Sequence, residues 1–133
     1  PNSSLLSDIS CEGINLESLL NAINDRIEKL LDKDHQIGHS YFMSKSNKLS
    51  ISELRDVFKN KIMPLLQEYF YGDFGKIGLV LGEGFIEENK DNTIFAKFKY
   101  EDRDLIDERK VYQISDLTKL SVSNFKSIYE KSE

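Results

Sequence analysis

At 133 residues, with 39% apolar and 31% charged side chains, the chain has the length of one domain around a modest core. A net charge of −5 with no basic block argues against a free-standing nucleic-acid binder, whose phosphate contacts need clustered Lys and Arg. The single cysteine, Cys11, excludes an internal disulfide and cannot build a zinc site alone; it reads as a semi-buried thiol in a reducing cytosol.

No run approaches the roughly 18 apolar residues of a membrane span, and no signal peptide is visible, so a cytoplasmic protein without membrane contact is expected. The chain opens on Pro1 rather than Met, which hints at a trimmed or processed end.

Residues 1–14 read as an irregular lead-in. In "NLESLLNAINDRIEKLLDKD", Leu16, Leu19, Leu20, Ile23, Ile27, Leu30 and Leu31 recur every three or four residues, the stripe of an amphipathic helix. Asn15 suits its N-cap and Glu17 its first turn, where the helix dipole favours an anion. The helix should fade near 32–34, with Gly38 as a stop or turn residue.

Ser50 and Glu53 have capping-box spacing and open a second helix. Its stripe is Leu54, Val57, Phe58, Ile62, Leu65, Leu66, Tyr69 and Phe70. Pro64 falls inside it, removes a donor and crowds the preceding turn, so a kink or a break and restart is expected near 61–64. "GDFG" (72–75) should end the element.

The periodicity then changes. "KIGLVLG" (76–82) and "GFIEE" (84–88) are short and apolar, and "NKDN" (89–92) is a turn. "TIFAKFKY" (93–100) alternates like a strand, with Ile94, Ala96 and Phe98 on one face and Lys97 and Lys99 among the residues of the other. "EDRDLIDERK" (101–110) reads as a loop or short helical turn, and "KVYQIS" (110–115) as a strand. Val122, Phe125, Ile128 and Tyr129 mark a closing helix. The expected fold is α+β: a small helical unit over residues 1–75, then a β-strand-rich extension with a closing helix over residues 76–133, together one compact unit.

Both histidines lie in "DKDHQIGHSYFM" (32–43). His35 and His39 have the i, i+4 spacing of metal ligands, but Gly38 intervenes, Gln36 stands where HExxH needs Glu, and further ligands are missing. A Cys11–His pair or a Ser40–His39 pair lacks any local nucleophile signature. "GDFGKI" has Gly75 and Lys76 but Ile77 where a phosphate loop needs Ser or Thr; "GEGFIE" has Glu87 at the third glycine position. No complete nucleotide site is present. The carboxylates Glu87, Glu88, Glu101, Asp102, Asp104, Asp107 and Glu108, with Lys97 or Lys99, would suit a metal-dependent nuclease, but charge runs are usually solvated faces.

Three stretches, "INDRIEKLLDKDHQIGHSYF", "KIMPLLQEYFYGD" and "KIGLVLG", taken in order, resemble the C-terminal part of McrB-type AAA+ proteins, the nucleotide-hydrolysing motors of methyl-directed restriction systems. The resemblance covers roughly residues 14–82 and is thin beyond.

It implies an upstream αβα core carrying the phosphate loop and magnesium carboxylates, with ATP or GTP and Mg2+ bound in the parent and none by this fragment alone. The fragment would be the lid: not itself catalytic, closing over nucleotide and packing on neighbouring protomers of a ring, usually a hexamer. DNA would be met only through other parts of the parent. A turn after the first lid helix commonly supplies a polar residue to the phosphates, often an arginine. Here that turn is Gly38, His39, Ser40 and Tyr41, with Phe42 at the arginine position, so the role would fall to His39, Ser40 or Tyr41. Gly38 is expected to permit a tight backbone, while Phe42 is expected in the core and His35 exposed or a helix C-terminal cation. For His39 the bland alternative is a hydrogen bond to a helix end.

Two other readings remain at this point. The β-rich half, with 101–110, would dock a partner nuclease subunit or a neighbouring protomer; or the chain would be a small independent enzyme using His39 and Ser40 or the acidic cluster.

Overall fold

Leu16–Leu30 forms the first long helix, α1, and the predicted stripe faces inward: Leu16, Leu19, Leu20, Ile23 and Ile27 are buried. Asn15 caps it, its side-chain oxygen accepting from the Ser18 N–H at 3.0 Å. Leu31 lies beyond the last turn and is exposed, so the stripe ends one residue earlier than its spacing suggests. The structure, a computed structural model, describes residues 3–7, 9–43, 48–90 and 92–130. Asp91 in the turn expected at 89–92, Lys131 at the end of the closing helix, and residues 1, 2 and 8 of the lead-in lie outside these.

The lead-in is more ordered than its composition suggests. Ser3–Leu6 is a 3-10 helix, and Leu6, Ile9, Cys11 and Ile14 are buried. Glu12 and Gly13 both have positive φ, in a turn closed by the Ile14 N–H on the Cys11 carbonyl at 2.7 Å. That turn aims the Glu12 carboxylate at the Ile51 N–H, 2.6 Å away. Desolvation first, then the charges of Glu12 and Glu53, push the Cys11 thiol up to about 11. It packs as a small apolar group rather than a nucleophile.

The second helical stretch is continuous but not uniform. α2 is Ile51–Val57, with the expected capping box: the Ser50 hydroxyl accepts from the Glu53 N–H and the Glu53 carboxylate from the Ser50 N–H. A π-helical turn follows at Phe58–Ile62, and α3 resumes at Met63–Tyr69. The disturbance expected at 61–64 is this wider turn, in which the Met63 N–H reaches back to the Phe58 carbonyl. It precedes Pro64, whose ring cannot donate to the turn before it.

α3 ends in a Schellman arrangement. The Gly72 N–H bonds the Gln67 carbonyl at 2.9 Å, and Tyr71 and Gly72 both have positive φ. Tyr71 occupies, at φ 52, a position usually taken by glycine, with its side chain 96% exposed.

"KIGLVLG", read from sequence only as a short apolar segment, is helical. Phe74–Leu81 is a helix, α4, whose buried residues are Ile77, Val80 and Leu81. Asp73 caps it by accepting from the Lys76 N–H at 3.2 Å, and Gly82, at φ 99, stops it. "GDFG" is thus a helix start as well as a stop.

The extension has less β structure than its alternation suggests. Ile86–Asn89 (β1) and Val111–Ile114 (β2) pair antiparallel, Ile86 opposite Ile114 and Asn89 opposite Val111. Ile86 and Tyr112 share the face that meets α4, where Gly78 and Gly75 offer no side chain: a Cβ at either would stand 3.6 Å from Ile86 or Tyr112. Residues 92–100 form neither helix nor strand, correcting the strand reading of "TIFAKFKY". The charged stretch beyond them holds one short helix, α5, Arg103–Asp107.

The chain closes with α6, Val122–Tyr129, opened by a second capping box between Ser121 and Asn124. Gly84 is essential beneath it, because a Cβ there would fall 2.6 Å from the Asn124 amide. The architecture is α+β: mostly helical, with one two-stranded sheet and a closing helix.

Phe42, Phe58, Phe85 and Phe125 join these parts in one buried cluster. The Phe58 ring centroid lies 6.1 Å from Phe42, 5.6 Å from Phe85 and 5.0 Å from Phe125. Phe58→Ala removes the shared member, so a loss of about 3–5 kcal/mol is expected in urea unfolding, with residual secondary structure followed by far-UV circular dichroism.

Candidate functional site

Both histidines sit on the path from α1 to α2, and local hydrogen bonds set that path. Beyond α1, Asp32 caps a 3-10 turn, Lys33–His35, its carboxylate accepting from the Asp34 and His35 N–H groups at 2.9 and 3.1 Å. The His35 ring nitrogen lies 2.6 Å from the same oxygen. This side-chain bond, more than the two backbone donors, holds the Asp32 carboxyl below the usual carboxylate range. His35 lies beyond the last turn of α1 with its side chain 45% exposed, paired with Asp32, and its ring stands edge-on to Tyr69 at 4.9 Å.

Tyr69 belongs to α3, so this contact brings "DKDHQIGHSYF" and "PLLQEYFYGD" together in space. Burial, then the neighbouring Tyr41, then Glu68, push the Tyr69 phenol above its ordinary range. His35, Tyr41 and Tyr69 thus form an aromatic corner where the two motifs meet.

The next fixed point is Asn24, on the buried face of α1. Its amide donates to the Ile37 carbonyl at 2.9 Å, and its oxygen accepts from the Ile37 N–H at 2.6 Å. One side chain satisfies both backbone groups of a buried residue. This pins the chain immediately before Gly38. Sequence reasoning missed Asn24, although the signal was there: a polar residue between Leu20 and Ile27 in an otherwise apolar stripe.

Gly38 then opens a second 3-10 turn, His39–Phe42. Its backbone is extended, φ −77 and ψ 154, and a Cβ there would meet only the Ser40 hydroxyl at 3.9 Å. The expectation that Gly38 supplies a tight glycine-only backbone is therefore corrected; nor does it stop α1, which ends at Leu30.

Along the turn, Ser40 is exposed, Tyr41 is half-buried against the core, and Phe42 is fully buried, as expected. His39 is partly exposed, yet its Nδ1 is a buried atom with no hydrogen-bond partner among the described residues. A hydrogen bond from this atom to a helix end is therefore absent. The four residues Gly38, His39, Ser40 and Tyr41 stand together as one surface turn. Among the described residues, no group of three or more His, Cys, Asp or Glu side chains is placed to hold a metal ion. No described helix is long and apolar enough to cross a membrane.

Two further ties hold the turn's scaffold to the rest. Arg26 of α1 donates to the Val80 carbonyl at 2.8 Å, in the last turn of α4, and Arg55 of α2 donates to the Leu120 carbonyl at 2.6 Å. Neither was read from sequence.

A first helix, a pinned turn, a second helix interrupted by a π turn and a third helix make one small helical unit. The family described as the alpha-helical lid domain of McrB matches residues 15–78, from the N-cap of α1 into α4, and that stretch is a McrB-like AAA+ lid region. Comparison with curated proteins finds no match to the chain.

Asn24 and Gly38 should respond oppositely to alanine. Asn24→Ala strands the Ile37 N–H and carbonyl and should cost about 2 kcal/mol or more. Gly38→Ala, in a conformation any residue adopts, should be neutral or stabilise by up to about 1 kcal/mol. Paired thermal and urea denaturation of the two variants checks both.

Proposed function

We propose that this chain is the lid over the nucleotide site of a McrB-like AAA+ motor, with the turn Gly38, His39, Ser40 and Tyr41 facing the phosphates of ATP or GTP. The observation that carries this reading is the place of the turn: it follows the first helix of the McrB-like lid region, with Ser40 exposed and His39 partly exposed.

The residues present fit such a ligand. Ser40 is exposed and carries a hydroxyl able to donate, and the partly exposed His39 stands next to it in the turn. Phe42, at the position where related turns place arginine, is fully buried and does not reach outward. The polar work therefore falls to His39 and Ser40, with Tyr41 and Phe42 anchoring the turn. Nucleotide bound with Mg2+ by the core would supply the phosphate chemistry; the lid's part is to hold the phosphates and exclude water. As in other AAA+ lids, the same subdomain would pack on a neighbouring protomer of a ring.

The test uses the AAA+ protein that carries this lid. His39→Ala and Ser40→Ala should each lower ATP or GTP hydrolysis about tenfold or more, with ring assembly unchanged by sedimentation. The 133-residue chain alone should bind neither nucleotide at micromolar concentration. Unchanged hydrolysis in both variants, or micromolar binding by the isolated chain, refutes the assignment.

A further inference from the structure

Between β1 and β2 the chain leaves the body of the protein. Of the described residues from 87 to 113, all but Ile106 are exposed, apolar ones included: Ile94 is 90% exposed, Phe98 74% and Leu105 68%. Such a run of large apolar groups outside the core marks a contact surface rather than a loop that merely returns the chain.

The arm also carries its own charge logic. Residues 90–110 hold six cations and six anions, so the arm is neutral in a chain of net charge −5. The signs are segregated. "TIFAKFKY" has Lys97 and Lys99 and no acid, whereas "EDRDLIDE" has Glu101, Asp102, Asp104, Asp107 and Glu108 against Arg103 alone. Phe95, Ala96, Phe98, Tyr100, Arg103 and Ile106 line an almost wholly apolar hollow of about 260 Å³, and the exposed Leu105 stands on the same arm. The element thus carries a lysine block, an acid block, a hole and a knob.

We propose that the arm, residues 90–110, is a self-association surface that takes the arm of a second copy of this chain. Two arms laid antiparallel set the lysine block of each against the acid block of the other, and apolar groups of each against the hollow of the other. A surface complementary to itself is what an isologous contact requires. Elsewhere two copies repel through their net negative charge, so the neutral arm is where approach is least opposed. The interleaved Phe, Tyr and Lys also suit a single-stranded nucleic acid, but the adjoining acid block would repel its phosphates. This pairing lies outside the lid region and does not depend on the nucleotide reading.

Sedimentation velocity of the chain over a concentration series tests it. Association is expected, weakening as salt rises. Lys97→Glu with Lys99→Glu, and separately Glu101→Lys with Asp104→Lys, should each weaken it about tenfold or more, since like charges then face each other. All four positions are exposed, so both variants should keep the native circular dichroism spectrum. An equimolar mixture of the two variants should regain association, because each reversed block then meets its complement. A chain that stays monomeric throughout, association that both variants retain, or a mixture no tighter than either variant alone overturns the proposal.

Discussion

Phe58 is the residue on which the arrangement turns. Its ring sits where the turn after α1, the π-helical step, the segment following α4 and the closing helix converge, touching Phe42, Phe85 and Phe125. Phe42 and Phe58 lie within the lid region and Phe85 and Phe125 beyond it. The lid therefore does not end its packing where the family match ends. The extension supplies two of the four rings, and a chain cut near residue 82 would leave Phe58 facing water on that side. The π turn that begins at Phe58 sets where its ring points, and Pro64 is the sequence feature that makes a regular helix there unfavourable.

What could be read from the sequence was what depends on period and capping. α1, α2, α6 and the capping box of Ser50 and Glu53 follow from residues close in the chain, and the structure shows them; the second box, Ser121 with Asn124, was missed. The errors share a cause. "KIGLVLG" is too short for its period to separate helix from strand, and the deciding residue, Asp73, had been read as part of a stop. "TIFAKFKY" has the alternation of a strand, but a strand needs a neighbour, and the described residues supply none there. Local pattern states what a segment is able to do; partners at long range decide whether it does.

The same division holds at the site. Gly38, His39, Ser40, Tyr41 and Phe42 were singled out from sequence, and they do form one turn. What held them in place was not legible. Asn24 went unread within an apolar stripe, and Tyr69 was read as one more position of the second stripe. Both act on backbone or rings far along the chain: Asn24 on Ile37, Tyr69 on His35. Gly38 was noticed for its chemistry, yet its backbone is ordinary, whereas the glycine whose lack of a side chain matters most, Gly84 against Asn124, drew attention only as part of a failed phosphate motif.

The placement of the arm has an evolutionary consequence. β1 and β2 are joined by a long excursion, and the entropy of closing such a loop grows only with the logarithm of its length, about 0.6 kcal/mol per doubling. The pair is held instead by Ile86 and Tyr112 seated on the glycines of α4, at the base of the excursion. Residues beyond that base are thus nearly uncoupled from the stability of the body. Insertions, deletions and wholesale replacement there should cost little, so this is where related chains are freest to diverge while the lid beneath stays the same.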